Sequence, residues 1–300
     1  GCHARGPRGA CLGRLGVLCC LAEDDVVWAM GTSDTSCMGG DVYVRATLLA
    51  TFAQRARVGL RPTNTWTREP QIMAGFAASL DSLTQGRAFL DVASGDSAVY
   101  NIGLKPASRS RIEEYIECVR GLLRDGEAQF EGRPQRVRWH REAARSKVPI
   151  SICAEGPRML RLAGELCDGV SFLCGTHPAC IEFALAQIQA GAELGGRTSA
   201  DLDIGWTIYG SLRDDIDLAR EECKSLAAWF PQTARHYADL AGVSADTIAA
   251  IRGAYTGGHF DAAGEAFKYV TDKMVGDFTI AGPADVWIDR LREVAALGIT

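Results

Sequence analysis

Residues 148–174, VPISICAEGPRMLRLAGELCDGVSFLC, constrain the fold more than any other stretch. Residues 148–154 are a short apolar run with two isoleucines, the pattern of a strand buried on both faces. Glu155, Gly156 and Pro157 break it. Met159, Leu160, Leu162, Ala163 and Leu166 then form one apolar helical stripe, with Pro157 at the start, where a missing N–H costs nothing. Residues 169–173 read as the next strand. A strand, tight turn, helix and strand in so short a span make a βαβ unit, which predicts parallel strands and a right-handed crossover. The N–H groups of Gly156, Arg158 and Met159 open that helix. Such a start carries about half a positive charge and suits a phosphate, although an empty strand-to-helix turn reads the same way.

The rest of the chain repeats this alternation. Residues 26–30 are a candidate strand ending in GTSD at 31–34. Residues 41–56 are helical, with Val44, Leu48, Leu49 and Phe52 on one face. A strand at 58–64 contains Pro62, and a helix at 70–83 carries Ile72, Met73, Phe76, Ala77 and Leu80. The strand at 88–94 runs into Gly95, Asp96 and Ser97; the helix at 108–124 turns Ile112, Tyr115, Ile116, Val119 and Leu122 inward. Residues 126–139 interrupt with a small hairpin around 129–133. A helix at 178–194 and a strand at 202–209 follow. Residues 214–275 are helical throughout, too long for one crossover helix, and read as an insertion. A last helix at 284–297 stops at Gly298.

Six strands are thereby readable. No GxGxxG follows the first, and polar or glycine-rich residues recur at strand C-termini. An eight-fold β/α barrel of the TIM type fits better than an open doubly wound sheet. The two strands not read would be the first and the last, so the single domain of residues 1–300 reads as clipped at both ends, unless residues 11–20 supply an atypical first strand. Residues 1–20 are poorly readable. Arginines at 5, 8 and 14 precede an apolar stretch at 15–22, but it is short for a signal peptide and lacks a clean cleavage motif; the tail of a helix fits better.

Composition narrows the function classes. A hydrophobic content of 47% with 23% charged residues supports a sizeable core. The net charge of −5 and the lack of a basic run argue against a nucleic-acid surface. No apolar stretch reaches membrane-helix length. Eleven cysteines, scattered through strands and helices, fit reduced thiols in the cytoplasm better than a disulfide frame. Cys174, His177 and Cys180 are spaced by three, but zinc wants a fourth ligand and none lies nearby in sequence; no metal is expected.

In a barrel the working residues sit where strands end. Those ends hold Ser33 and Asp34, Thr63 and Asn64, Ser94 to Ser97, Glu155 to Pro157, and Gly175 and Thr176. Asp34 and Asp96 are the candidate catalytic carboxylates; the competing role for each is to cap the following helix. Pro62 removes a ladder donor and implies a bulge, and Arg61–Pro62 is a candidate cis peptide. No nucleophile elbow, paired-histidine metal site or GK[ST] phosphate loop is present.

With these residues laid out, the chain resembles the bacterial luciferase-like family of flavin and deazaflavin oxidoreductases. It is most similar to the branch with methylenetetrahydromethanopterin reductase and deazaflavin-dependent glucose-6-phosphate dehydrogenase. The matching stretches are TNTWTREP at 63–70, SLDSLTQGR at 79–87, SGDS at 94–97, AEGPR at 154–158 with LAGELCDG at 162–169, and TIAG at 279–282. They cover the chain from about residue 21 onward. The resemblance implies a TIM barrel with a deazaflavin, coenzyme F-420, or alternatively FMN, at the C-terminal rim. It also implies a ring leaning on a cis peptide in a strand bulge; the family's is non-prolyl, and Arg61–Pro62 stands at that place. Asp34 then looks like the residue beside the ring, Asn64 like a contact to its pyrimidine edge, and Ser94 and Gly95 like ring or ribityl contacts. Glu155, Gly156 and Arg158 look like the phosphate loop, and Asp96 like a proton acceptor. The histidine that follows the aspartate in the sugar-phosphate enzyme is Thr35 here, so neither its alcohol oxidation nor its substrate is implied. The leading expectation is an F-420-dependent oxidoreductase moving a hydride to or from a small organic substrate, with Trp66, Tyr100, Trp206 and the insertion able to shape the pocket. The alternatives are an FMN-dependent monooxygenase using reduced flavin and oxygen, and a non-catalytic relative or incomplete barrel fragment. Enzymes of this family often form homodimers.

Overall fold

The computed structural model describes residues 27–35, 39–139, 145, 147–255, 260–297 and 299, with side chains omitted at 260–263. The expectations for residues 1–25 and for Gly298 lie outside them. The chain divides between Ile152 and Cys153 into two compact units.

The first unit is a run of βα repeats. Strands β1 (Ala29–Thr32), β2 (Arg57–Asn64), β3 (Ala88–Ala93) and β6 (Ile150–Ala154) pair in parallel in that order. One sheet face carries Val58, Leu60, Leu90, Val92, Ile150 and Ile152, none more than 1% exposed. Burying each such side chain stabilises by about 1.5–3 kcal/mol. Alternation puts Gly59, Arg61, Phe89 and Asp91 on the opposite face. Between β2 and β3 the register shifts between Leu60 and Thr63, and Arg61–Pro62 is cis, so the proline does mark the expected bulge.

Helix α1 (Val42–Phe52) is capped by Asp41, whose Oδ1 accepts from the amides of Tyr43 (2.9 Å) and Val44 (3.1 Å). Its buried face is Val42, Ala46, Leu49 and Ala50, whereas the expected Val44 and Phe52 are exposed. The segment is apolar nearly all round, so periodicity alone did not select a face. Helix α2 (Pro70–Leu83) buries Met73, Ala77 and Leu80 but exposes Ile72. After the short α3 (Ser97–Tyr100), helix α4 (Arg109–Arg124) buries the five residues expected of it, and Ser108 caps it. The hairpin β4 (Glu127–Phe130) and β5 (Arg133–Arg136) turns through Glu131 and Gly132, both at positive φ.

The second unit opens with the βαβ unit that the sequence marks. Helix α5 (Pro157–Leu166) leads to β7 (Gly169–Phe172), and the Leu173 amide donates to the Ala154 carbonyl at 3.2 Å. Helix α6 (Pro178–Leu194) packs so closely on α5 that a Cβ at Gly164 or Gly191 would strike backbone of the other helix. Strand β8 (Asp203–Trp206) pairs in parallel with β7. The expected single strand over 202–209 is shorter than read, and the chain re-enters a strand at β9 (Gly210–Leu212). Helices α7 (Ile216–Thr233), α8 (Arg235–Leu240), α9 (Ala245–Ala254) and α10 (Asp272–Phe278) form the expected helical insertion. It is closed by β10 (Ile280–Gly282), which pairs in parallel with β9, before α11 (Ala284–Ala295). These three-residue strands pair across the whole insertion, and no local pattern announces them.

Candidate active site

In the first unit, Asp34 follows β1 and is buried. Its backbone N–H donates to the Pro62 carbonyl at 2.9 Å, joining it to the bulge. Its Oδ2 accepts from the hydroxyls of Thr63 (2.9 Å) and Thr67 (3.3 Å) and lies 3.5 Å from Arg68 Nε. Burial works to lower the Arg68 pKa, but the charges of Asp34, Tyr43 and Asp41 outweigh it and hold the guanidinium more firmly charged. Arg68 also donates to Asp41 at 3.0 Å and sits over the Tyr43 ring, which stacks on Phe76. Burial raises the Tyr43 hydroxyl well above its ordinary range. Asp41, not Asp34, caps α1. Sequence reasoning missed Thr67 and Arg68 as its partners, although both lie in the TNTWTREP stretch.

Asn64, also buried, uses its side chain on the loop that follows. Its Oδ1 accepts from the amides of Trp66 (3.0 Å) and Thr67 (2.9 Å), and its Nδ2 donates to the Thr67 hydroxyl. Beside it, Gly95 has φ +95°, and a Cβ there would lie 3.7 Å from that of Asn64 and collide with Val99. Ser94 is half-buried and its carbonyl accepts from Ala107 at 2.7 Å. Asp96 is half-buried at the start of α3, yet its side chain accepts no capping bond from that turn. Among the described helices, then, the Asp34 side chain does not cap α1 and the Asp96 side chain does not cap α3. Arg61 turns its guanidinium to buried Asp91, with Nε 2.5 Å from Oδ2, and lies over the Phe89 ring. Two hydroxyls on this rim, Thr32 Oγ1 and Thr65 Oγ1, are buried with no hydrogen-bond partner among the described residues. Trp66 stacks under the Arg111 guanidinium at 3.9 Å, and Tyr100 is exposed.

In the second unit, the Glu155 carbonyl accepts from Tyr237 Oη (2.8 Å) and lies 3.3 Å from His236 Nε2, both from α8. Burial lowers the His236 pKa, only partly offset by that carbonyl and Asp239. Gly156 precedes α5 with φ −81°, makes no side-chain cap, and a Cβ on it would meet nothing within 4 Å. The Met159 amide turns back to the Gly156 carbonyl at 3.0 Å, which leaves Gly156 and Arg158 to offer the opening N–H groups. Arg158 itself is exposed. The room at Gly156 and the N–H groups around it would admit an anion such as a phosphate, and in the first unit the unpartnered threonine hydroxyls would admit a polar group. Trp206 donates to the Gly175 carbonyl at 3.0 Å, a structural use. Cys180 donates to the Tyr237 carbonyl, and burial pushes its thiol up to about 12. Among the described residues, no three histidine, cysteine or acidic side chains gather in a way that could hold a metal ion, and no helix is long and apolar enough to cross a membrane.

Comparison with known proteins identifies the family. The luciferase-like monooxygenase family matches residues 23–300. The 5,10-methylenetetrahydromethanopterin reductase of Archaeoglobus fulgidus is 30% identical over 298 residues, covering 93% of this chain and 85% of that one. Its counterpart from Methanolobus tindarius is 30% identical over 266 residues, covering 87% and 80%. The structure of the coenzyme F-420-dependent tetrahydromethanopterin reductase of Methanopyrus kandleri matches with a TM-score of 0.80 at 24% identity, covering 96% of this chain and 88% of that one. The fold is thus α/β with a parallel, curled sheet of the TIM-barrel type. The chain belongs to the luciferase-like monooxygenase family.

Proposed function

We propose that this chain is a coenzyme F-420-dependent oxidoreductase that moves a hydride to or from a small organic substrate. The observation that carries the reading is 30% identity to methylenetetrahydromethanopterin reductases along nearly the whole chain. It is supported by two rim carboxylates, of which Asp34 does not cap α1 and Asp96 makes no side-chain cap bond to α3. The cofactor, when bound, supplies the hydride-carrying carbon; the protein orients it, excludes water and handles the proton. Asp34, held by Thr63, Thr67 and Arg68, stays in place beside the ring, and the Arg61–Pro62 backbone gives the ring a surface to lean on. Asn64 fixes the loop at the ring's polar edge, and Ser94 and Gly95 let the cofactor approach β3 closely. The Asp96 side chain takes the accompanying proton as a carboxylate, or gives it as a carboxylic acid in the reverse direction. Glu155, Gly156 and Arg158 form the loop around the phosphate, with the backbone N–H groups of Gly156 and Arg158 as its donors. A methylene-bearing tetrahydropterin is the first substrate to test. We also place the enzyme in the cytoplasm, where its six described free thiols would stay reduced, and as a homodimer, for which light scattering is the check.

The family's monooxygenase members keep one other reading alive, an FMN enzyme using reduced flavin and oxygen. Titration of the purified protein with F-420 and with FMN, followed by absorbance and fluorescence, separates the two. Saturable F-420 binding and a thermal transition shifted upward by F-420 are expected. Tight FMN binding with no response to F-420 would reject the proposal. No cooperative transition at all would favour an incomplete fragment.

A further inference from the structure

At the bulge, Leu60 pairs with Leu90 and Thr63 with Val92, so Arg61 and Pro62 of β2 together face the single residue Asp91 of β3. The ladder is interrupted there, and Pro62 has no N–H to offer. On the β1 side the bulge is tied by the Asp34 amide on the Pro62 carbonyl and by Thr63 on the Asp34 carboxylate. On the β3 side the tie is a side chain: Arg61 Nε sits 2.5 Å from Oδ2 of Asp91, whose side chain is 1% exposed. The neighbourhood is shaped for it. A Cβ on Gly31 would come within 2.5 Å of Arg61 Cβ, so a glycine on β1 makes the room, and the Phe89 ring lies under the guanidinium at 5.1 Å.

We infer that the Arg61–Asp91 ion pair is a positioning latch: it replaces the missing ladder bonds of the bulge and thereby fixes the Pro62 carbonyl and, through it, Asp34. Arg61 is then a positioning residue through its side chain, distinct from the backbone that meets the cofactor. That last step rests on the function proposed above; the latch itself does not.

Native-state hydrogen exchange on the full, cofactor-free chain tests the latch directly. The variant is Arg61→Met with Asp91→Asn, which removes both charges and leaves no buried carboxylate unpaired. The Asp34 amide should exchange at least tenfold faster, while the Leu90 amide, bonded to the Pro149 carbonyl at 3.0 Å, keeps its protection. Equal loss at both amides would make the pair a general stabiliser and overturn the inference, as would no change at either. Should the double variant not fold, Arg61→Lys decides by the same comparison, with a severalfold acceleration expected at Asp34 alone. A parallel F-420 titration should show weaker binding by the variant than by the wild type. Absence of F-420 binding by the wild type would defeat the proposed function and leave the exchange result standing on its own.

Discussion

The rim of the first unit and the turn at Gly156 in the second, proposed above as the phosphate site, are made of different material. At the rim the proposed site groups are side chains already committed to one another. Asp34 holds two hydroxyls and faces a guanidinium, Asn64 ties its own loop, and Arg61 grips Asp91. At the turn the proposed site groups are backbone N–H donors, the residue at its centre is a glycine, and the space beside that glycine is open. A polar network buried in low dielectric is strong only while complete, so the rim stays preorganised at a cost to anything that disturbs it. The turn is set by helix geometry and held from behind by Tyr237 and His236 on the Glu155 carbonyl. The two regions should therefore respond to mutation in opposite ways: the rim through stability, the turn through binding alone.

The largest effect is expected at the rim. Asp34→Ala strips Thr63 and Thr67 of an acceptor and leaves Arg68 with Asp41 as its remaining carboxylate. The cost should be about 2–4 kcal/mol, below the full price of a buried orphan charge because Arg68 is partly exposed. Urea unfolding measures it, and F-420 binding should be lost as well. A variant as stable as the wild type would mean that the network is not a unit.

The turn should show the reverse. At Gly156 the φ of −81° suits any residue and the site is open, so Gly156→Ala should leave stability within about 0.5 kcal/mol. The methyl group would instead crowd whatever anion sits on the N–H groups. F-420 affinity should fall about tenfold, or about 1.4 kcal/mol. Unchanged affinity in a fluorescence titration would remove the phosphate from this turn, while a large loss of stability would erase the contrast between the two regions.

Sequence patterns carried the fold wherever chemistry is local. The βαβ unit at 148–174 is visible because an apolar run, a Gly-Pro break and a helical stripe follow one another. The inward face of α4 is visible because its apolar positions recur at helical spacing. Pro62 betrayed the bulge because proline cannot donate to a ladder. What stayed hidden depends on partners distant in sequence. The face of α1 follows from the Asp41 cap and from what Val42, Ala46 and Leu49 meet across the unit, not from its nearly uniform apolar pattern. Strands β9 and β10 find each other only across the insertion. The places of Asp34 and Asn64 at strand ends could be read, but not what their side chains hold. Asp91 did leave a signal: a carboxylate amid AFLDVA, in a strand otherwise fit for full burial, needs a cation, and Arg61 supplies it.

The smallest effect sharpens the comparison from the support side of the turn. His236 lies against Tyr237 and Phe183, with Nε2 near the Glu155 carbonyl and the charge of Asp239 acting on it. Burial lowers its pKa from the ordinary 6.5, so below that pH the unfolded chain takes up a proton before the folded one does. Its contribution to stability is therefore complete above about 6.5, declines as pH falls toward the lowered folded value, and is constant beneath it. His236→Gln can still donate to the Glu155 carbonyl but cannot titrate. Urea midpoints measured from pH 8 to pH 5 should agree in their pH dependence down to about 6.5; below it the wild type should lose stability faster than the variant. Parallel curves across the whole range would show that the imidazole charges freely, and that the turn is held by Tyr237 with no titratable support.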